Sequence, residues 1–284
     1  MTSSERKSMF LPLAVLCLLF VVCGGLAGLL GSLIGTDTYP RLATSIMLSS
    51  LMQFAVPAAI WSRIYMPIAQ TDKWRQTSAW QMFCVALLVY LCQPVIEWAS
   101  YVNYNLTEGS SLSANLASLK EANNEFIIRA LRFTTPLHWS VSIICIALLP
   151  AISEELFFRG ALQRIFHSMS GNAHIAVIFA AIIFSLMHFD IEGLLPRFFL
   201  GCLLGTIYVI TGSLLPGIFF HFLNNLMVVV SIGISDKPIT EIINTPPTQP
   251  TTWIVILCLA LSLMEVKNIE MIDGERFTGR KPKI

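Results

Sequence analysis

Three short polar clusters interrupt the apolar second half of the sequence. Their side chains are the kinds that move protons, stabilise oxyanions or bind metals. The first is Pro150-Ala-Ile-Ser-Glu154-Glu155-Leu-Phe-Phe-Arg159-Gly160, the second Phe184-Ser-Leu-Met-His188 and the third His221-Phe-Leu-Asn224-Asn225. On a helix, residues four apart share a face, while neighbours point about 100° apart. Glu155 and Arg159 are therefore spaced for an ion pair, and Glu154 is left to face something else. Phe184 shares a face with His188, and His221 with Asn225. A glutamate held out of bulk water suits general-base work on a water molecule. An imidazolium or an amide N–H aimed at a developing oxyanion stabilises it electrostatically. Glu154, His188 and His221 are also the donor set of a two-His, one-carboxylate zinc site, although no contiguous HExxH is present.

Each cluster has a plainer reading. A span could end at Pro150 and be followed by an amphipathic surface helix carrying the acids. A lone histidine on an apolar helix is often a satisfied packing residue, and His with Asn can act as interhelical glue in a bilayer. The joint pattern goes further than its parts, because Glu, His, His and Asn fall on three nearby apolar segments. The turn expected at Ser168–Asn172 puts Glu154 fourteen residues before it and His188 sixteen after it, at similar depth. His221 lies only a few residues past the Ser213–Pro216 turn, so its depth matches less well. His138, Glu97 and Trp98 fall near expected interfaces, where polar tips are ordinary. His167 and His174 flank the Ser168–Asn172 turn and are expected to be solvated.

The elements that must position these groups are membrane spans. The chain has 284 residues, 55% hydrophobic and 12% charged, with mean hydropathy +0.70 and net charge +1. So little charge cannot cover a water-facing surface, and a bilayer is the solvent that fits. No basic run suggests nucleic acid. Apolar stretches long enough to be considered are Phe10–Ile34, Leu42–Trp61, Ala79–Trp98, Leu137 onward past Leu149, Ala173–Phe189, Phe198–Thr211, Gly217–Ile234 and Thr252–Met264. The fold expected is an all-α, polytopic transmembrane helical bundle of about eight spans. The first run is too long for a signal h-region of about 7–15 residues, and Val21-Val22-Cys23 is a poor lipoprotein box, so the run reads as a retained span. The seven cysteines all lie in apolar stretches without a CxxC pair and read as packing residues.

Loop charge orients the set. With both termini inside, the cytoplasmic segments carry twelve Lys and Arg: Arg6, Lys7, Arg63, Lys73, Arg75, Arg159, Arg164, Lys267, Arg276, Arg280, Lys281 and Lys283. The other side carries six: Arg41, Lys120, Arg129, Arg132, Arg197 and Lys237. This agrees with the positive-inside rule. In the long loop Ser100–Pro136, the stretch Ser110–Glu125 could form a surface helix, whereas Ser235–Pro250, with three prolines, reads as extended linker. Three regions result. Residues 1–136 hold three spans and the long loop, 137–234 the polar core, and 235–284 the linker, a last span and a polar tail.

In this order and spacing, Glu154-Glu155-xxx-Arg159, Phe184-xxx-His188 and His221-xxx-Asn225 resemble the EExxxR, FxxxH and HxxxN motifs of the CPBP family of intramembrane proteases. That family includes type II CAAX prenyl endopeptidases and bacteriocin-processing or self-immunity proteins. The resemblance covers roughly residues 137–234. It implies peptide-bond hydrolysis within the bilayer, with Glu154 and His188 activating water, His221 and Asn225 stabilising the oxyanion, Arg159 holding Glu155, and Phe184 touching substrate. It implies a membrane-associated protein or peptide as substrate and the lipid bilayer as surroundings. No cofactor follows firmly; zinc stays open, on Glu154, His188 and His221. Compact loops suggest a prokaryotic inner membrane. Two other classes compete. A scaffold or immunity protein would bind through the same cavity but has no need of Glu154, His188 and His221 together. A proton-coupled transporter often shows repeated halves, which are not evident here.

Overall fold

Residues 10–34 carry no charge and form one uninterrupted helix, α1 (Phe10–Ile34), of 25 residues. At 1.5 Å per residue that is about 37 Å, enough for a hydrocarbon core of about 30 Å. The computed structural model describes residues 9–66, 68, 77–110, 115 and 117–278. Arg6, Lys7, Lys73, Arg75, Arg280, Lys281 and Lys283, counted above for orientation, lie outside the described residues, as does part of the Ser110–Glu125 stretch.

The chain continues through α2 (Tyr39–Ile64), α3 (Ala79–Thr107), α4 (Ala117–Ala130), α5 (Pro136–Ser170), α6 (Ala173–Leu186), α7 (Leu194–Thr211), α8 (Leu214–Gly233), α9 (Ile239–Asn244) and α10 (Thr252–Thr278). Among the described residues there is no strand. Seven helices are long and apolar enough to cross a bilayer, and α6, with 14 residues, is a shorter apolar helix beside them. The chain is an integral, multi-pass helical bundle. Its outer faces carry side chains that water would not tolerate together, such as Leu33 at 82% and Trp253 at 66% exposure.

Two spans run through a proline by the same device. A proline lacks an N–H and its ring crowds the carbonyl four residues back. In α2 a π turn over Leu51–Ala55 precedes Pro57, and Val56 N–H reaches back five residues to Leu51 O. In α5 a π turn over Ile143–Leu148 precedes Pro150, and Leu149 N–H reaches Ile144 O. The wider turn relieves the crowding, so α5 does not stop at Pro150. Glu154 and Glu155 sit inside a 35-residue helix rather than on a surface helix after it.

Other boundaries depart from the sequence expectation. Helix α6 ends at Leu186, so His188 lies in the turn beyond it instead of on the expected Ala173–Phe189 span. Helix α7 starts earlier than Phe198, after a short 3₁₀ turn over Ile191–Gly193. The Ser235–Pro250 linker contains α9, entered from Pro238. Terminators are ordinary: Gly171 and Gly212 close α5 and α7 in the left-handed conformation, with φ of 69° and 62°. Asn172 and Ser213 then cap the next helices through their side chains.

Helix α6 packs along α7, α8 along α5 and α3, α2 along α5, and α10 along α3. Trp61 is fully buried and donates to Pro12 O at 2.9 Å, tying α2 to α1. Helices α6 and α7 approach closely. A Cβ on Gly201 would sit 2.9 Å from Ala181 Cβ and 3.0 Å from its Cα, and one on Gly205 3.0 Å from Val177. Gly201 and Gly205 form a small-xxx-small pair, which lets backbones meet in a membrane. Gly201→Ala should therefore destabilise the fold by about 1–3 kcal/mol, the range for overpacking. Thermal unfolding in detergent measures this, and an unchanged midpoint would show that α7 can move away freely.

Candidate active site

The polar clusters are held together by contacts of α5 with α7 and α8. Arg159 Nη1 donates to Glu155 Oε1 at 2.8 Å, and Arg159 Nη2 donates to Gly201 O at 2.9 Å on α7. One turn further on, Gln163 Nε2 donates to Gly205 O at 3.1 Å, forming a second rung between the same helices. The glycines that permit the α6–α7 approach thus also supply the carbonyls that receive α5. A π turn over Phe158–Leu162 encloses Arg159, and its guanidinium lies 5.1 Å from the Phe184 ring centroid. The side chains of Glu155 and Arg159 are each 1% exposed, so neither charge is stabilised by bulk water. At this depth the pair depends on its internal partners.

Glu155 Oε1 also meets His221 Nδ1 at 3.2 Å. A carboxylate on Nδ1 sets the imidazole's orientation and leaves Nε2 for chemistry. That nitrogen lies 3.9 Å from Glu154 Oε2. His221 meets both glutamates of α5 although α8 begins only seven residues before it, at Leu214. His221 is then about 10 Å along the helix axis. Gly217, one turn before it, leaves room for Glu155; a Cβ there would be 3.2 Å from Oε2.

His188 is held by the α6 terminus. Its Nδ1 is 2.7 Å from Phe184 O, and its ring lies 4.9 Å from the Phe184 ring, edge-on. A carbonyl only accepts, so Nδ1 carries the proton and Nε2 is the free nitrogen of the neutral ring. Phe189 follows at φ 51°, in the left-handed region that bulky residues rarely adopt. That turn is pinned from α3. Asn103 donates to Ile191 O and Glu192 O, both at 2.8 Å, and accepts from Leu195 N at 3.0 Å.

Glu154, His188, His221 and Asn225 all line one cavity of about 830 Å³, while Glu155 and Arg159 stand behind its wall. Glu154 Oε2 is buried without a hydrogen-bond partner. Phe184, expected to touch substrate, also meets the cavity, yet it is 1% exposed and its ring packs on Phe158, His188, His221 and Arg159. Helix α2 also lines the cavity, with Ser45, Ser49 and Gln53. Among the described residues no group of three or more His, Cys, Asp and Glu side chains is placed to hold a metal ion. Glu154, His188 and His221 are not gathered into such a group. The exposed His167 and His174 stay apart from the cavity, as does His138, hydrogen-bonded to Thr134.

Sequence spacing found the Glu155–Arg159 pair. It missed Gly201, Gly205 and Gly217, whose small-residue spacing was a readable signal, and Asn103, which had none.

Residues 136–227 match the sequence model of a family described as Rce1-like, type II CAAX prenyl endopeptidase. The matched stretch runs from the start of α5 into α8 and includes every residue named from the three clusters. No curated protein matches the chain, and no solved structure does.

Arg159→Ala should cost about 3–5 kcal/mol by leaving Glu155 buried and unpaired. Arg159→Lys should recover only part, because lysine cannot reach Glu155 and Gly201 O with a planar fork. Unfolding midpoints of the two variants check this; a wild-type midpoint for Arg159→Ala would show the pair to be incidental.

Proposed function

With residues 136–227 matching the Rce1-like family, we propose that the protein is an intramembrane endopeptidase that cleaves a membrane-associated protein or peptide by glutamate-activated water. The observation that carries this reading is the meeting of Glu154, His188, His221 and Asn225 on one cavity. Water between Glu154 and His188 Nε2 loses its proton to Glu154 as it attacks the scissile carbonyl. The oxyanion is stabilised by the Asn225 amide and by His221 in its doubly protonated form, with Nδ1–H given to Glu155 and Nε2–H to the oxyanion. Glu154 then returns the proton to the departing amine nitrogen as the C–N bond breaks. Arg159 and Glu155 act through His221 and are positioning residues. No step requires a metal. A prenylated chain ending in a CAAX sequence is the substrate class that the family description suggests. Loop charge supports cytoplasmic termini, and the compact loops a prokaryotic inner membrane.

Glu154→Ala should abolish cleavage and leave the fold intact. Proteomics of membrane peptides from cells carrying wild type or Glu154→Ala measures this directly; fragment profiles that do not differ would remove Glu154 from the role of base. His188→Ala and His221→Ala should each lower turnover by about 10²-fold or more. Asn225→Ala should cost about 10²–10³-fold, and prolonged chelation should change nothing. Stoichiometric zinc lost together with activity on chelation would overturn the metal-free mechanism.

A further inference from the structure

Asn225 can serve an oxyanion only if its amide NH₂, and not its carbonyl, faces the cavity. An asparagine on its own is free to turn either end inward. What selects the end is a chain of three side-chain amides that starts outside the family-matched stretch, on α3. Gln93 Nε2 lies 3.0 Å from Val89 O and 3.3 Å from Asn224 Oδ1. Asn224 Nδ2 lies 3.4 Å from Asn225 Oδ1.

The direction of this chain follows from one backbone group. Val89 O can only accept, so the Gln93 atom beside it must be the NH₂. Its two protons are then both committed, one to Val89 O and one to Asn224. The Asn224 atom that receives the second must be its carbonyl oxygen, which turns the Asn224 NH₂ toward Asn225. Asn225 must accept with its own carbonyl, and among the described residues its Nδ2 forms no hydrogen bond. Asn224 and Asn225 both line the cavity, and Gln93 does not. Amides aligned head to tail also polarise one another, which strengthens the terminal donor.

We infer that Gln93 is a positioning residue for the reaction, setting the direction of the Gln93–Asn224–Asn225 amide chain so that Asn225 presents N–H to the oxyanion. This rests on the proposed role of Asn225. Gln93→Glu keeps the shape and reverses the logic. A carboxylate accepts where Val89 O and Asn224 Oδ1 already accept, and even a protonated one is a donor short. Asn224 would turn its NH₂ toward the introduced carboxylate, and Asn225 would then turn its carbonyl to the cavity. Gln93→Met removes the direction without imposing the opposite one.

The test uses the full-length protein in proteoliposomes, with an internally quenched farnesylated CAAX peptide and its unprenylated counterpart as probes. Gln93→Met should lower kcat about 10-fold, and Gln93→Glu about 100-fold, approaching Asn225→Ala. KM should change little, because the interaction is made in the transition state. In an Asn225→Ala background either Gln93 substitution should add less than about 2-fold, since the chain then ends on nothing. A purely structural glutamine predicts a different result: Met and Glu variants ranked by their unfolding midpoints, with losses that multiply those of Asn225→Ala. That result would overturn the inference while leaving the proposed function standing. An Asn225→Ala protein with normal turnover, or a wild type that cleaves neither probe, would overturn the reading of the site and this inference with it.

Discussion

A carboxylate and a guanidinium that both sit away from water must find their partners inside the protein, and the arrangement around Glu155 and Arg159 follows from that need. Glu155 Oε1 accepts from Arg159 and meets His221, and Arg159 reaches across to Gly201 O. One ion pair on α5 thereby ties α5 to both α7 and α8. In a bilayer the unpaired alternative is expensive, so the pair acts as a clamp on three helices. The same carboxylate that neutralises Arg159 orients His221, which links stability and chemistry through a single oxygen.

The clamp also separates two adjacent glutamates into different tasks. Glu155 is held through Oε1 by Arg159 and His221 and is buried behind the wall. Glu154, about 100° around the helix, meets the cavity with Oε2 free of hydrogen bonds. Two π turns make this possible in one continuous span. The first carries α5 past Pro150, and the second follows Phe157 and encloses Arg159. Wider turns of this kind recur where a helix must present function.

The remaining parts of the site are held by helices on either side. Helix α3 supplies Asn103 to the His188 turn and Gln93 to the asparagine pair. Helix α2 lines part of the cavity. The first half of the chain is therefore more than an anchor for the second: it completes the surroundings of groups that the second half contributes.

Charge content and the lengths of the apolar runs determined an all-α membrane bundle, because hydrocarbon leaves a spanning backbone almost no alternative to a helix. Spacing within a helix determined that Glu155 faces Arg159 and that Glu154 does not, since four residues make a little over one turn. The same reasoning set Glu154 and His188 at one depth but named no contact that crosses between helices. The meeting of His221 with Glu155, the reach of Arg159 to Gly201 O and the bond from Gln93 to Asn224 depend on how closely helices approach and in what register. Glycines at 201, 205 and 217 decide that approach, and their effect exists only once a neighbour is present. Pro150 could be read as a stop or as a kink from sequence. Only the tertiary structure decided that the helix continues: a π turn over Ile143–Leu148 takes up the proline's crowding, and α5 runs on between α2 and α8.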